Sequence, residues 1–232
     1  ELAGCSKKGI KISNDLINAA KHSEAFIDFS SIESTLHASE ISAQARIVHV
    51  IGTTGFSIEQ EEIIKAAARH ATVIKSGNMS LGINILLGVV QNITKLVDDN
   101  WAIEISEIHH KEKKDHPSGT ALALGASVAK GKKIDLEENK VIDDPIIDAV
   151  DINLTKIRKN VVRKKDDIGF SSYRKDGVIG DHSVIFSSEN ERIALTHIAK
   201  NRNIFANGAL KAALWGQNKK PGLYSMQDVL GF

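Results

Sequence analysis

Over its first 80 residues the chain alternates short β-branched runs with stretches of helical period. Ala25-Phe-Ile-Asp-Phe29 reads as a buried strand and Ile32 to Ala45 as a helix. Arg46-Ile-Val-His-Val-Ile51 predicts a second strand, ending in Gly52-Thr-Thr-Gly55. Ser57-Ile-Glu-Gln60 has the form of a capping box, with Ser57 at the N-cap and Gln60 at N3. The helix it opens runs to about His70, and Thr72-Val-Ile-Lys75 follows as a third strand closed by Ser76-Gly-Asn78. Strands alternating with helices predict parallel βαβ units and an open α/β sheet. Ligands on such sheets sit outside the carboxyl ends of the strands. The loops Gly52-Thr-Thr-Gly55 and Ser76-Gly-Asn78 fall there. Both ordinary turns and ligand loops fit their small residues.

Further along, Ser80 to about Val97 predicts a long helix with Leu81, Ile85, Leu86, Val89 and Ile93 on one face. The run from Trp101 to Ile108 predicts a strand whose odd positions are apolar until they reach Glu107 and His109. Extended geometry sends His110 to the other face. A helix is expected from near Ser118 to about Lys130. Residues 131–165 are charged and poorly periodic, and read as a long excursion holding a strand or two. Ile168–Tyr173, Val178–Ser187 and Arg192–His197 look like antiparallel strands, joined through turn chemistry at Lys175-Asp-Gly177 and Ser188-Glu-Asn190. Asn203 to Trp215 predicts a final helix, with Pro221-Gly222 turning the chain after it.

Composition narrows the class. The 232 residues, 42% hydrophobic and 25% charged, are enough for a sizeable core. A net charge of +1 does not favour nucleic acid or an anionic membrane as partner. The lone Cys5 allows neither an internal disulfide nor a Cys-rich zinc site. No apolar run approaches a membrane span, and the first residues lack the apolar core of a signal peptide. A reducing cytoplasm is the simplest home.

The chemistry concentrates in Glu107-Ile-His-His-Lys-Glu-Lys-Lys-Asp-His-Pro-Ser-Gly-Thr120. Pro117 and Ser118 suit the entry of a helix, whose free amides at Ser118, Gly119 and Thr120 can receive a carboxylate or phosphate. A plain helix cap explains the same residues. His109 and His110 can handle protons near neutral pH. A metal pair is disfavoured, since adjacent strand positions face apart. Lys113 can donate a proton and attract an anion, or be a solvated charge, and Asp115 can hold the loop through local amides.

This run, extended to Ala121, resembles the Glu-x-His-His-x-x-Lys-x-Asp-x-Pro-Ser-Gly-Thr-Ala signature of the bacterial 4-hydroxy-tetrahydrodipicolinate reductase (dihydrodipicolinate reductase) family. Phe26-Ile-Asp-Phe29, Val50–Phe56, Asn78–Asn84, Gly180–Ser183 and Arg202–Ala209 also look like family blocks. The resemblance implies reduction of a cyclic imine-type dicarboxylate by NADPH or NADH, on the route to diaminopimelate and lysine. By resemblance His109 and Lys113 are the catalytic positions, Lys113 as proton donor. His110, Ser118, Gly119 and Thr120 match substrate-binding positions. Gly52, Thr53 and Thr54, then Ser76, Gly77, Asn78 and Met79, then Arg202 and Phe205, match three cofactor-contact regions. Met79 stands where the family often has Phe, Ser76-Gly77 where it has Ala-Ala, and His116 where it has Ala.

The resemblance also implies an organisation. Residues 1–79 with 200–232 are expected to form a Rossmann-type dinucleotide-binding domain. Residues 80–199 are expected to form an α+β substrate and oligomerisation domain, and the assembly a homotetramer. The family begins with a strand, a Gly-rich loop and a helix, at least ~30 residues together. Glu1 matches a point inside that first domain, so the sequence reads as incomplete or as a remnant. Two rivals stay open. One is a non-catalytic chain that binds a dicarboxylate but no cofactor, and the other is a metal hydrolase built on His109 and His110.

Overall fold

The computed structural model describes residues 9, 12–147, 153–154 and 163–232. The chain start at 1–8 and most of the expected excursion between 148 and 162 lie outside them. The chain divides into two compact units, Glu1–Lys75 with Lys211–Tyr224, and Ser76–Leu210 with Ser225–Phe232.

In the first unit the elements are α1 (Leu16–Lys21), β1 (Ala25–Asp28), α2 (Ile32–Ala45), β2 (Val48–Ile51), α3 (Ile58–Ala67) and β3 (Thr72–Lys75). A late strand, β10 (Gly222–Tyr224), joins them. The sheet order is β1-β2-β3-β10, and every pairing is parallel. Val48–Ile51 is buried throughout, His49 included, as a central strand of a parallel sheet should be. Ser57 and Gln60 form the expected capping box, each side chain bonding the other's backbone. Ile51, Ile64, Ala68, Ala71 and Val73 pack α3 onto the sheet.

Asp28 ends β1, and it shapes the turn that follows. Its Oδ1 accepts from the Ser30 amide at 2.9 Å and the Ser30 hydroxyl at 2.5 Å, and its Oδ2 lies 3.4 Å from His49 Nε2. Burial alone would raise the carboxyl's pKa, but the bonds from His49 and Ser30 outweigh it and hold it at about 2. A depressed carboxylate contributes stability above its unfolded value of 3.8 and loses it as pH falls towards 2. Asp28→Asn should therefore cost on the order of 2 kcal/mol at neutral pH. Urea unfolding of both proteins should show that gap closing between pH 4 and 2. A gap that does not change with pH would refute the account.

The second unit holds α4 (Leu81–Thr94), β4 (Ala102–His109), α5 (Gly119–Lys132), α6 (Leu136–Asn139), β5 (Lys140–Ile142) and β6 (Ile146–Ile147). These are followed by β7 (Ile168–Arg174), β8 (Asp181–Ser187) and β9 (Arg192–Ile198). Helix α7 (Asn203–Gly216) crosses the boundary at 210, and α8 (Met226–Leu230) returns to this unit. The sheet order is β5-β7-β4-β8-β9, with β6 beside β7. Strands β8 and β9 are antiparallel to their neighbours, as expected. Strand β7 is not, because it runs parallel to β4, β5 and β6. The Lys175-Asp-Gly177 turn does reverse the chain, but the reversed chain pairs on the far side of β4. Turn chemistry fixes a reversal and leaves the choice of partner open. Strand β8 also begins at Asp181 rather than Val178.

Strand β4 thus lies at the centre. Ile103 and Ile105 on its core face pack with Leu86 and Val90 of α4, Leu124 and Val128 of α5, Phe170 of β7 and Phe186 of β8. Glu107 and His109 continue that face beyond the apolar core.

Candidate active site

The end of β4 places two functional side chains side by side. Glu107 and His109 are both buried, and Glu107 Oε2 touches His109 Nδ1. The neighbouring carboxylate favours the imidazole proton on Nδ1, which leaves Nε2 for chemistry. Nε2 faces Gly180, where an added Cβ would lie 2.9 Å from it. A side chain at 180 would therefore displace the ring. His182 stacks edge-on against His109, with ring centroids 5.0 Å apart.

The other oxygen of Glu107 is also committed. Oε1 accepts from the Ser118 amide at 3.2 Å and from Arg174 Nη1 at 3.3 Å. Burial raises the Glu107 pKa, but the His109 contact, with help from Ser172 and Arg174, lowers it to about 2. Glu107 is consequently an anion at physiological pH. His182 also shifts downward, but for an imidazole that removes the charge. Burial, then the charge of His109, depress it to about 3, so its ring is neutral.

Ser118 is the N-cap of α5, with Oγ accepting from the Ala121 amide at 3.1 Å. That hydroxyl lies 3.1 Å from His182 Nε2 and can donate to the neutral ring. The Ser118 amide, expected to be free for a ligand, is taken by Glu107. Gly119 and Thr120, at N1 and N2, retain unpaired helix-end amides. A Cβ at Gly119 would meet nothing within 4 Å, so a ligand can reach this turn.

The expected site residues gather unevenly. One cavity is lined by Asn78, His109, Thr120 and Phe205, together with His182 and His197, which sequence reasoning did not single out. Asn78 Nδ2 donates to Thr120 Oγ1 at 3.1 Å, which ties the expected second cofactor segment to the expected substrate turn. Lys113 does not line this cavity. Its Nζ is paired with Asp115 at 2.7 Å, yet its charge still lowers the His182 pKa slightly. His110 does not line the cavity either and pairs with Glu112 at 2.9 Å. Arg202 is exposed, and Met79 is 1% exposed, leaving its side chain no free surface.

Two further residues were given no role in the sequence. Glu107 appeared as the polar end of an apolar face and the first residue of the signature, and Arg174 had no local signal because the Lys113, Asp115 and Glu107 groups it meets are distant along the chain. Glu107, His109 and His182 have ligand-type atoms within 4.8 Å of one another. Their chemistry is that of an acid–base cluster rather than a cation site. Glu107 Oε2 already meets His109, and the Arg174 guanidinium beside Oε1 repels a cation.

Gly52 follows the carboxyl end of β2 in the first unit, and Ser76, where the second unit begins, follows that of β3. An added Cβ at Gly52 would fall 2.2 Å from the Phe29 ring, so a larger residue there requires that exposed ring to move. Thr53 turns inward, accepting from Thr35 at 3.0 Å, while Thr54 is exposed. Ser76 bonds back to the Asn78 backbone and leaves Gly77 exposed. Bare, small loops at the carboxyl ends of adjacent parallel strands fit a dinucleotide.

A parallel sheet with such loops, and a second unit with a buried carboxylate–imidazole pair, suit an oxidoreductase of the Rossmann type. Residues 1–79 match the family model described as dihydrodipicolinate reductase, N-terminus, and residues 82–230 match the one described as its C-terminus. The chain belongs to the dihydrodipicolinate reductase family. A 4-hydroxy-tetrahydrodipicolinate reductase of Parvibaculum lavamentivorans is 51% identical over 232 residues, covering 99% of this chain and 81% of the relative. One of Rhizobium rhizogenes is 48% identical over 234 residues, covering 100% and 80%. The fold is similar to that of a dipicolinate-bound dihydrodipicolinate reductase from Paenisporosarcina sp. TG-14, with a TM-score of 0.72 and 20% identity over 94% of this chain and 77% of that one. Among the described residues no helix is long and apolar enough to cross a membrane.

Proposed function

We propose that this chain reduces 4-hydroxy-tetrahydrodipicolinate to tetrahydrodipicolinate with NADH or NADPH and a proton, the 4-hydroxyl leaving as water, in diaminopimelate and lysine biosynthesis. The observation that carries the reading is the buried Glu107–His109 pair, set beside the α5 N-terminus in a chain that matches the family in both halves. The dinucleotide contacts proposed from the family resemblance are Gly52 and Thr54 in the first unit and Ser76–Met79 in the second. Phe205 and Arg202 are the proposed third contact. The second unit carries the substrate.

NADH or NADPH, when bound, supplies the hydride. The chain's own residues hold the substrate and manage the proton. The Gly119 and Thr120 amides and the Thr120 hydroxyl receive one carboxylate, with His110 assisting. Glu107 fixes the proton of His109 on Nδ1, which leaves Nε2 to exchange one with the substrate. Lys113 Nζ, held by Asp115 until an anionic ligand competes, is the proposed proton donor. Dipicolinate, the ligand named for the Paenisporosarcina protein, is a planar dicarboxylate that this turn should also accept. A homotetramer in the cytoplasm is the assembly proposed, supported by family membership and by exposed Ile193 and Ile198 on the edge strand β9.

The test is oxidation of NADH or NADPH by the full-length native protein, supplied with enzymatically generated substrate. A folded protein that shows no turnover would sink the proposal and favour a non-catalytic dicarboxylate binder. Dipicolinate should inhibit competitively with substrate. Thr120→Val and His110→Ala should each raise its inhibition constant roughly 10- to 100-fold, the size of a lost hydrogen bond to a charged group. Unchanged inhibition in both variants would move the substrate turn elsewhere.

A further inference from the structure

We propose that Arg174 is a positioning residue that locks the His109 imidazole and the Lys113 segment into one geometry. Arg174 ends β7 and is 2% exposed. A guanidinium has five N–H donors in a fixed fork, and five contacts use them. Nη1 and Nη2 donate to Glu107 Oε1 at 3.3 and 3.4 Å. Nη1 also reaches the Tyr173 carbonyl at 2.8 Å. The remaining two bonds leave the strand. Nε donates to the Lys113 carbonyl at 3.1 Å, and Nη2 to the Asp115 carbonyl at 2.8 Å.

The consequence is a linkage. One edge of the fork holds the carboxylate that orients His109, and another holds the backbone on either side of Lys114. Lys114, Asp115 and His116 are exposed, so the segment has little packing of its own to fix Lys113. A buried ion pair kept only for stability could be replaced, both partners together, by apolar residues at small cost. An apolar residue, or a lysine with its donors at a single point, cannot hold two carbonyls and a carboxylate in register. The two proposed proton-handling groups therefore take their relative placement from a residue that touches neither reacting atom.

This inference rests on the roles proposed for His109 and Lys113, and a double-mutant cycle separates the two. Arg174→Lys should lower kcat roughly 10²-fold through misplacement of those groups. KM and the dissociation constant for NADH should change less than about twofold, as for an interaction made only in the transition state. In the Lys113→Ala background the same substitution should cost much less, because the group it positions is gone. An equal loss in both backgrounds would show a merely structural role and overturn the inference, as would an unchanged kcat in Arg174→Lys. Should Arg174→Lys fail to fold, Arg174→Ala is assayed with millimolar guanidinium added. Recovery of kcat supports the linkage and lack of recovery refutes it. Wild-type rates in His109→Ala and Lys113→Ala would instead bring down the underlying assignment.

Discussion

His109→Ala and Lys113→Ala are each expected to lower kcat by roughly 10²- to 10⁴-fold, the usual contribution of a positioned proton donor or acceptor. The fold should survive both. His109 is at the end of β4, past the apolar packing of Ile103 and Ile105, and Lys113 is in the segment that follows. Neither contributes to a hydrophobic core. The two variants should differ in how they depend on anions. Lys113 Nζ is held by Asp115, so its loss removes positive charge from the region a dicarboxylate must enter, and KM should rise along with the fall in kcat. His109 has its partner inside the protein, so its loss should fall mainly on kcat. Steady-state kinetics with circular dichroism as the check on folding would measure both. Wild-type turnover in either variant would refute the role given to that residue.

Glu107→Ala should be the most damaging single change to stability in the second unit, by about 3–5 kcal/mol. The side chain is 1% exposed, and its loss would leave the Arg174 guanidinium buried without its anion. The Ser118 amide would lose its acceptor as well. Glu107→Gln is the informative companion, because it keeps the volume and one acceptor oxygen. It should be less destabilised than the alanine variant while losing activity, since an amide does not hold the Nδ1 proton of His109 as a carboxylate does. Denaturant unfolding set beside turnover distinguishes the two losses. An alanine variant within about 1 kcal/mol of the parent would contradict the buried ion pair, since breaking such pairs costs more than that.

The parts of the molecule legible in the sequence were those fixed by local pattern. The period of Ile103, Ile105, Glu107 and His109 announced both strand β4 and the side on which Glu107 and His109 would lie. The Ser57–Gln60 capping box opened α3 where expected. The parallel sheet of the first unit was likewise written in its βαβ alternation. What stayed hidden depends on partners distant along the chain. Nothing near Arg174 shows that it closes over Lys113 and Glu107, and nothing near His182 shows that it meets Ser118. The direction of β7 was misread for a related reason. Its sequence suits either orientation, and the choice follows from β4 taking the centre of the sheet. The free amide expected at Ser118 was lost because a helix end attracts a protein carboxylate as readily as a ligand's.

The route from β7 to β8 has a consequence for how the enzyme can vary. Arg174 is in register with His109, and Asp181 with Ile108, on opposite flanks of β4. The Lys175 amide bonds the His109 carbonyl at 2.9 Å, and Gly180 abuts the His109 ring. The connection from 175 to 180 is therefore a surface loop by location and a fixed-length strap by geometry. Surface loops ordinarily absorb inserted residues and drift in composition. This one has both ends moored to the histidine it crosses, so change in this family should accumulate in other loops, and a fusion partner or added tag would be badly placed here.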